Sequence, residues 1–169
     1  RLYNDGDYGA PTVDNPWFNR VAKHPFNVGY DFNHESPYTK TFVDSVNNYW
    51  LTEYKFDGFR FDLSKGFTQV DTGNDVNLWS QYDPSRVRIW KNIYDQIKAN
   101  HPEAYVILEH LAVNEEERDL ANYGMLFWGN MNGTSRNLAK GNNDNMDWAY
   151  FKNRQWTKNG LIAYQESHD

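Results

Sequence analysis

Phe56-Asp57-Gly58-Phe59-Arg60-Phe61-Asp62-Leu63-Ser64-Lys65-Gly66-Phe67 is the stretch that decides the fold. Phe59, Phe61 and Leu63 alternate with Arg60 and Asp62, the two-residue period of a strand. Arg60 and Asp62 therefore share the second face. If that face turns inward, the guanidinium keeps the carboxylate ionised and aims it, because a neighbouring opposite charge favours the charged form. A carboxylate held in this way suits a nucleophile or a metal ligand. The competing reading makes Asp57-Gly58 a hairpin turn and leaves Arg60 and Asp62 on a solvated face.

Two further segments repeat the pattern. Ala104-Tyr105-Val106-Ile107-Leu108-Glu109-His110 is a continuous apolar run that ends in a carboxylate, as expected of a parallel strand covered on both faces. Leu161-Ile162-Ala163-Tyr164-Gln165 is a last strand, followed by Glu166-Ser167-His168-Asp169. Gly124–Trp128 is a further candidate strand.

Helices fill the gaps. Ser36-Pro37 reads as an N-cap with proline in the first turn. Phe42, Val46, Tyr49 and Trp50 then recur at helical spacing toward Tyr54. Asp83-Pro84 starts a second helix the same way. Its stripe is Ile89, Trp90, Ile93, Tyr94 and Ile97, and Asn100-His101-Pro102 stops it. Asn114-Glu115-Glu116-Glu117 resembles a capping box opening a helix over about 115–123. The spacing predicts another helix from Asp147 to Trp156, with loops over 68–82 and 129–145. Residues 1–35 carry turn signals such as Asn4-Asp5-Gly6-Asp7 and Asp14-Asn15-Pro16, and read as a functional loop or excursion.

Alternation of helix and strand argues for βα units around a parallel sheet. Three strands then end in, or just before, a carboxylate: Asp62, Glu109 and Asp169. In a β/α barrel, catalytic groups converge from the C-terminal ends of different strands.

Composition narrows the partners. Net charge is −6 over 169 residues and no basic stripe exists, which argues against a nucleic-acid partner. There is no cysteine, hence no disulfide or thiolate zinc site. No apolar run approaches the ~20 residues of a membrane span, and Arg1 does not open a signal-peptide pattern. Aromatic residues reach 17%, a content that suits stacking on sugar rings and equally suits any large interface. Asp5, Asp7 and Asp14 could ligate calcium from the N-terminal loop. His34, Glu109, His110, His168 and Asp169 form the alternative set for a metal hydrolase, although the five histidines include no i,i+4 pair.

Gly58-Phe59-Arg60-Phe61-Asp62, with Ser64-Lys65-Gly66 after it, resembles the strand-4 signature of the α-amylase family of glycoside hydrolases. Val106-Ile107-Leu108-Glu109 resembles that family's strand-5 signature, and Ser167-His168-Asp169 its strand-7 signature. Tyr30-Asp31-Phe32-Asn33-His34-Glu35-Ser36-Pro37 resembles the segment that closes its loop domain after strand 3. All four stand in the family's order. The resemblance implies an α/β fold, part of a (β/α)8 TIM barrel covering strands 4 to 7. Residues 1–35 would be the tail of the loop domain, and 36–169 the barrel segment from helix 3 to the end of strand 7. A whole barrel takes about 250 residues, so the expectation is an internal fragment.

The resemblance also implies roles. Asp62 would be the nucleophile, oriented by Arg60; Glu109 the general acid and then base; Asp169 a hydroxyl-binding carboxylate with His168 beside it; and Lys65 a contact on the leaving-group side. The substrate would be an α-glucan oligo- or polysaccharide. Structural calcium is expected as an option with no assigned site, and an extracellular or periplasmic bacterial location follows from the polymeric substrate. Ser167, Gly66 and His110 depart from the residues common in the family at those positions, which bears on the acceptor side. A transglycosylase on the same barrel and a non-catalytic carbohydrate-binding protein are the alternatives.

Overall fold

The computed structural model describes residues 4, 5 and 9–167. Its centre is a four-stranded, all-parallel sheet in the order β1-β2-β3-β4, built from Gly58–Phe61, Tyr105–Leu108, Leu126–Asn130 and Leu161–Tyr164. The hairpin reading of Asp57-Gly58 is excluded, because the chain before it is helical over Pro37–Glu53 and Gly58 itself begins β1, which runs parallel to β2 with Gly58 opposite Tyr105 and Phe61 opposite Leu108. Helix α1 (Pro37–Glu53) precedes β1, α3 (Pro84–Asn100) links β1 to β2, and α4 (Asn114–Tyr123) links β2 to β3. The class is α/β. No helix among the described residues is long and apolar enough to cross a membrane.

The core lies between one face of the sheet and α1, α3 and α4. Val106, Leu108 and Phe127 meet Leu51, Trp90, Ile93, Ile97 and Leu120 there, with Phe59 and Phe61 packed against them. Trp90 is the keystone. Its ring meets Phe61 edge-on at 5.0 Å, and its indole N–H donates to Ser64 O. Burying apolar side chains of this size contributes roughly 1.5–3 kcal/mol each. Asp83 caps α3 as its sequence predicts, accepting from the backbone N–H of Ser85 and Arg86.

Several local expectations are corrected. Ser36 stands at the N-cap of α1, but its hydroxyl donates to Pro16 O instead of capping the helix. The aromatic stripe of that helix is turned outward: Phe42, Tyr49 and Trp50 are exposed, whereas Thr39, Asn47 and Leu51 are buried. The 68–82 loop contains a short helix, α2 (Val76–Trp79), capped by Asp75. Residues 129–145 are not one loop, since β3 extends to Asn130 and α5 (Asn132–Ala139) follows. The Asn130 side chain accepts from Asn132 N and turns the chain into α5. The helix predicted over 147–156 is reduced to a 3-10 turn at Asp147–Ala149. Asn145 takes the Asp147 N–H, and Asn153 and Arg154 take the carbonyls of Asp147 and Trp148, so side chains compete with helical pairing. Of the 1–35 excursion, the described part forms two isolated antiparallel bridges, Asn4 with Pro11 and Phe18 with Phe32.

Gly58 shows why β1 and β2 can lie together. Its φ is +154°, and a Cβ there would stand 2.3 Å from Tyr105 O. Gly58→Ala is expected to destabilise the protein by about 3 kcal/mol. Urea unfolding measures this, and an unchanged midpoint would contradict the pairing of Gly58 with Tyr105.

Candidate active site

Asp62 and Glu109 are the residues immediately after β1 and β2. Because Phe61 pairs with Leu108 in a parallel ladder, the two carboxylates leave the sheet side by side. Glu109 N–H donates to Phe61 O, and Leu63 N–H donates to Glu109 Oε2 at 3.0 Å, stitching the two ends together. Arg60 bridges both acids. One guanidinium nitrogen pairs with Asp62, and Nη2 lies 2.8 Å from Glu109 Oε1, close enough for an ion pair yet out of line for a hydrogen bond. The guanidinium also lies over the Trp128 ring, 4.1 Å from its centroid.

The two acids differ in environment. The Asp62 side chain is 69% exposed and that of Glu109 only 7%. Both strand exits are strained, since Leu63 (φ +42°) and Leu111 (φ +55°) adopt the left-handed conformation that non-glycine residues avoid. Such positions cost on the order of 1–3 kcal/mol each and cluster at functional sites.

A buried polar network fixes Glu109 from behind. Ser64 N–H and its hydroxyl oxygen both stand 2.9 Å from Glu109 O. The hydroxyl is also 2.8 Å from His110 Nδ1, and His110 Nε2 is 2.6 Å from Glu116 Oε1. Arg86 closes the set by donating Nε and Nη2 to the two Glu116 oxygens, while its Nη1 and Nη2 reach the carbonyls of Lys65, Trp79 and Gln81. Burial alone would raise the Glu116 carboxyl, but hydrogen bonds from His110 and Arg86 outweigh it and hold it below its ordinary value. Burial pushes His110 below the usual histidine value, so its ring is neutral at pH 7.

Other sequence candidates sit elsewhere. The Lys65 ammonium turns inward: the residue is 5% exposed, and Nζ donates to Ser80 Oγ and Leu111 O over the Trp79 ring. Among the described residues it is not gathered with Arg60, Asp62 and Glu109. His168 and Asp169 lie outside the described residues, as does Asp7. Asp5 pairs with Arg20, and among the described residues no three His, Asp or Glu side chains form a group that could hold a metal ion. Of the described members of the metal-hydrolase set, His34 stacks on Phe67 at 3.8 Å and His110 is hydrogen-bonded to Ser64 and Glu116. Sequence reasoning passed over Trp128. Its position two residues beyond Leu126 on the Arg60 side of the sheet is the signal that could have found it.

His34 provides a pH test of the surrounding packing. Burial lowers its pKa to about 4, with Asp31 opposing and His24 reinforcing the shift. Between pH 6.5 and 4 the unfolded chain therefore holds a proton that the folded chain refuses. Stability is full above pH 6.5 and falls as pH drops, by about 3 kcal/mol from this ring. Glu117 works in the opposite sense, since burial raises its pKa to about 7 against the pull of Arg154. The comparison must therefore be between proteins. His34→Phe should flatten the acid side of the urea-midpoint profile relative to the parent, and an identical profile would show that His34 titrates normally.

Compared with known proteins, the chain matches no protein-family model and no curated protein sequence.

Proposed function

We propose that this chain carries part of the catalytic end of an α-amylase-type (β/α)8 barrel and cleaves α-glucosidic bonds in starch-like α-glucans with retention. The observation that carries the reading is the pair Asp62 and Glu109, set abreast at the ends of adjacent parallel strands and bridged by Arg60. Neighbouring strands lie about 4.8 Å apart. Retaining glycosidases need their two carboxyls about 5–5.5 Å apart, whereas inverting ones need about 6.5–9.5 Å. In-register neighbours suit the shorter spacing.

Asp62, the more accessible acid, attacks the anomeric carbon as the bond to the departing oxygen breaks. Glu109 donates the proton to that oxygen, then takes a proton from the water that hydrolyses the glycosyl-enzyme ester. To start the cycle Glu109 must be protonated. Arg60 is hydrogen-bonded to Asp62, whereas its contact with Glu109 is out of line for a hydrogen bond. His168 and Asp169 follow the C-terminal end of β4, which points the same way as those of β1 and β2, and would complete the sugar grip. Transfer to a sugar acceptor is the same chemistry with a hydroxyl in place of water. Structural calcium and an extracellular or periplasmic bacterial setting belong to this reading.

The test is to incubate the full-length protein with 5-fluoro-glucosyl fluoride and map the adduct by peptide mass spectrometry. A label on Asp62 is expected. An unlabelled protein that still binds starch would turn the reading into a carbohydrate-binding protein without catalysis.

A further inference from the structure

Trp128 stands level with the two acids. Phe61 pairs with Leu108, and Leu108 with Phe127, so one residue further along the ladder come Asp62, Glu109 and Trp128, with Ile162 opposite Trp128 on β4. Side chains alternate between the faces of a sheet. Because Phe61, Leu108 and Phe127 pack into the core, Trp128 belongs to the other face, which Arg60 shares. The Arg60 guanidinium reaches across β2 to lie over the Trp128 ring, 4.1 Å from its centroid. The Tyr164 ring from β4 packs against the same indole, with ring centroids 4.9 Å apart.

What the indole does for Arg60 follows from the hydrogen bonds that the guanidinium makes and lacks. One terminal nitrogen, Nη1, donates to Asp62. Nε and Nη2 are shut off from water and donate no hydrogen bond among the described residues. Buried N–H groups normally find an acceptor. Here the electron-rich face of the indole takes that place, attracting the cation without demanding a particular N–H direction. A single hydrogen bond would let the guanidinium swing about it, and an aromatic face against the planar group stops the swing. A leucine at this position would fill the space without the attraction.

We propose that Trp128 is a positioning residue for bond cleavage: it holds the Arg60 guanidinium in the orientation that aims the Asp62 carboxylate beside Glu109, without itself touching the sugar. The inference rests on the retaining glycosidase reading above. Asp62 is the exposed member of the pair, with its side chain 69% accessible, so its direction depends on what grips it. Arg60 supplies that grip, and Trp128, steadied by Tyr164, keeps Arg60 in place. A chain of contacts thus runs from β4 through β3 to the nucleophile at the end of β1.

The test follows turnover of maltotetraose by the full-length protein, and the rate at which 5-fluoro-glucosyl fluoride labels Asp62. Trp128→Leu should lower kcat and the labelling rate about tenfold, with KM within about twofold of wild type. Trp128→Phe should recover most of the loss, since a phenyl face attracts a cation in the same way, though more weakly. In an Arg60→Met protein, where slow labelling stays measurable because the adduct accumulates, Trp128→Leu should slow labelling no further. An equal fall with and without Arg60 would overturn the proposal. So would wild-type kinetics in Trp128→Leu, or a rise in KM alone, which would make the ring a sugar contact. If Trp128→Leu gives no cooperative urea transition, Trp128→Phe with and without Arg60 decides by the same comparison. All of these outcomes leave the label on wild-type Asp62 intact. Absence of that label would instead remove the catalytic reading, and the role of Trp128 with it.

Discussion

Asp62→Asn is expected to abolish turnover of α-glucans, lowering kcat by at least ~10⁴-fold, the scale on which enzymes respond to loss of a covalent nucleophile. The substitution keeps the size of the side chain and removes its charge. With the side chain 69% exposed, little folding energy is at stake, so the urea midpoint should stay close to that of the wild type. Glu109→Gln should act differently. General acid–base catalysis is worth roughly 10²–10⁴-fold, and the loss should shrink for substrates whose leaving group needs no proton. Kinetics on a maltooligosaccharide and on glucosyl fluoride separate the two residues. An Asp62→Asn protein within about tenfold of wild type would end the nucleophile assignment.

The second large effect is on stability. Arg86→Leu removes the cation from a network in which Arg86, His110 and Glu116 are all essentially inaccessible to water. Glu116 would be left with hydrogen bonds from His110 and Asp83 N–H but no compensating charge. Breaking a buried pair from one side costs about 3–5 kcal/mol, which in a chain of this length lowers Tm by roughly 10 °C or more. The carbonyls of Trp79 and Gln81 also lose their guanidinium donors. Arg86→Leu combined with Glu116→Gln should recover part of the loss, because the uncompensated charge is gone while the amide oxygen accepts from Asp83 N–H and the amide NH2 donates to His110 Nε2 in its other tautomer. Thermal unfolding of the three proteins decides the matter. If the double variant were no better than Arg86→Leu alone, buried charge would not be what makes the single variant unstable.

This network bears on the site as well as the fold. Ser64 meets His110 with its hydroxyl and Glu109 with both its N–H and its hydroxyl. Disturbing Arg86 therefore also loosens the backbone from which Glu109 projects.

The sequence by itself determined the elements whose signals are local and redundant. Period-two alternation in 58–63 and the apolar run at 104–108 placed β1 and β2, and Asp83-Pro84 placed the start of α3, whose capping bonds form as expected. The placement of Asp62 and Glu109 at strand ends was legible for the same reason, because a carboxylate that terminates an apolar run has few other places to go. Arg60 was legible as a partner of Asp62 through the same period. What only the tertiary structure decided are the relations between distant segments. Arg60 reaches Glu109 and Trp128 because β1, β2 and β3 lie side by side. Lys65 turns inward because the Ser80 hydroxyl and Leu111 carbonyl are brought beneath it. The aromatic face of α1 points outward because Leu51 and Val43, not Phe42 and Tyr49, meet the core. The segment 147–156 gives up helical pairing because Arg154 is drawn to Glu117, far away in sequence. In each case contacts between segments distant in sequence decide the arrangement, and in 147–156 burial and charge pairing outweigh the few tenths of a kcal/mol per residue that helix propensity supplies.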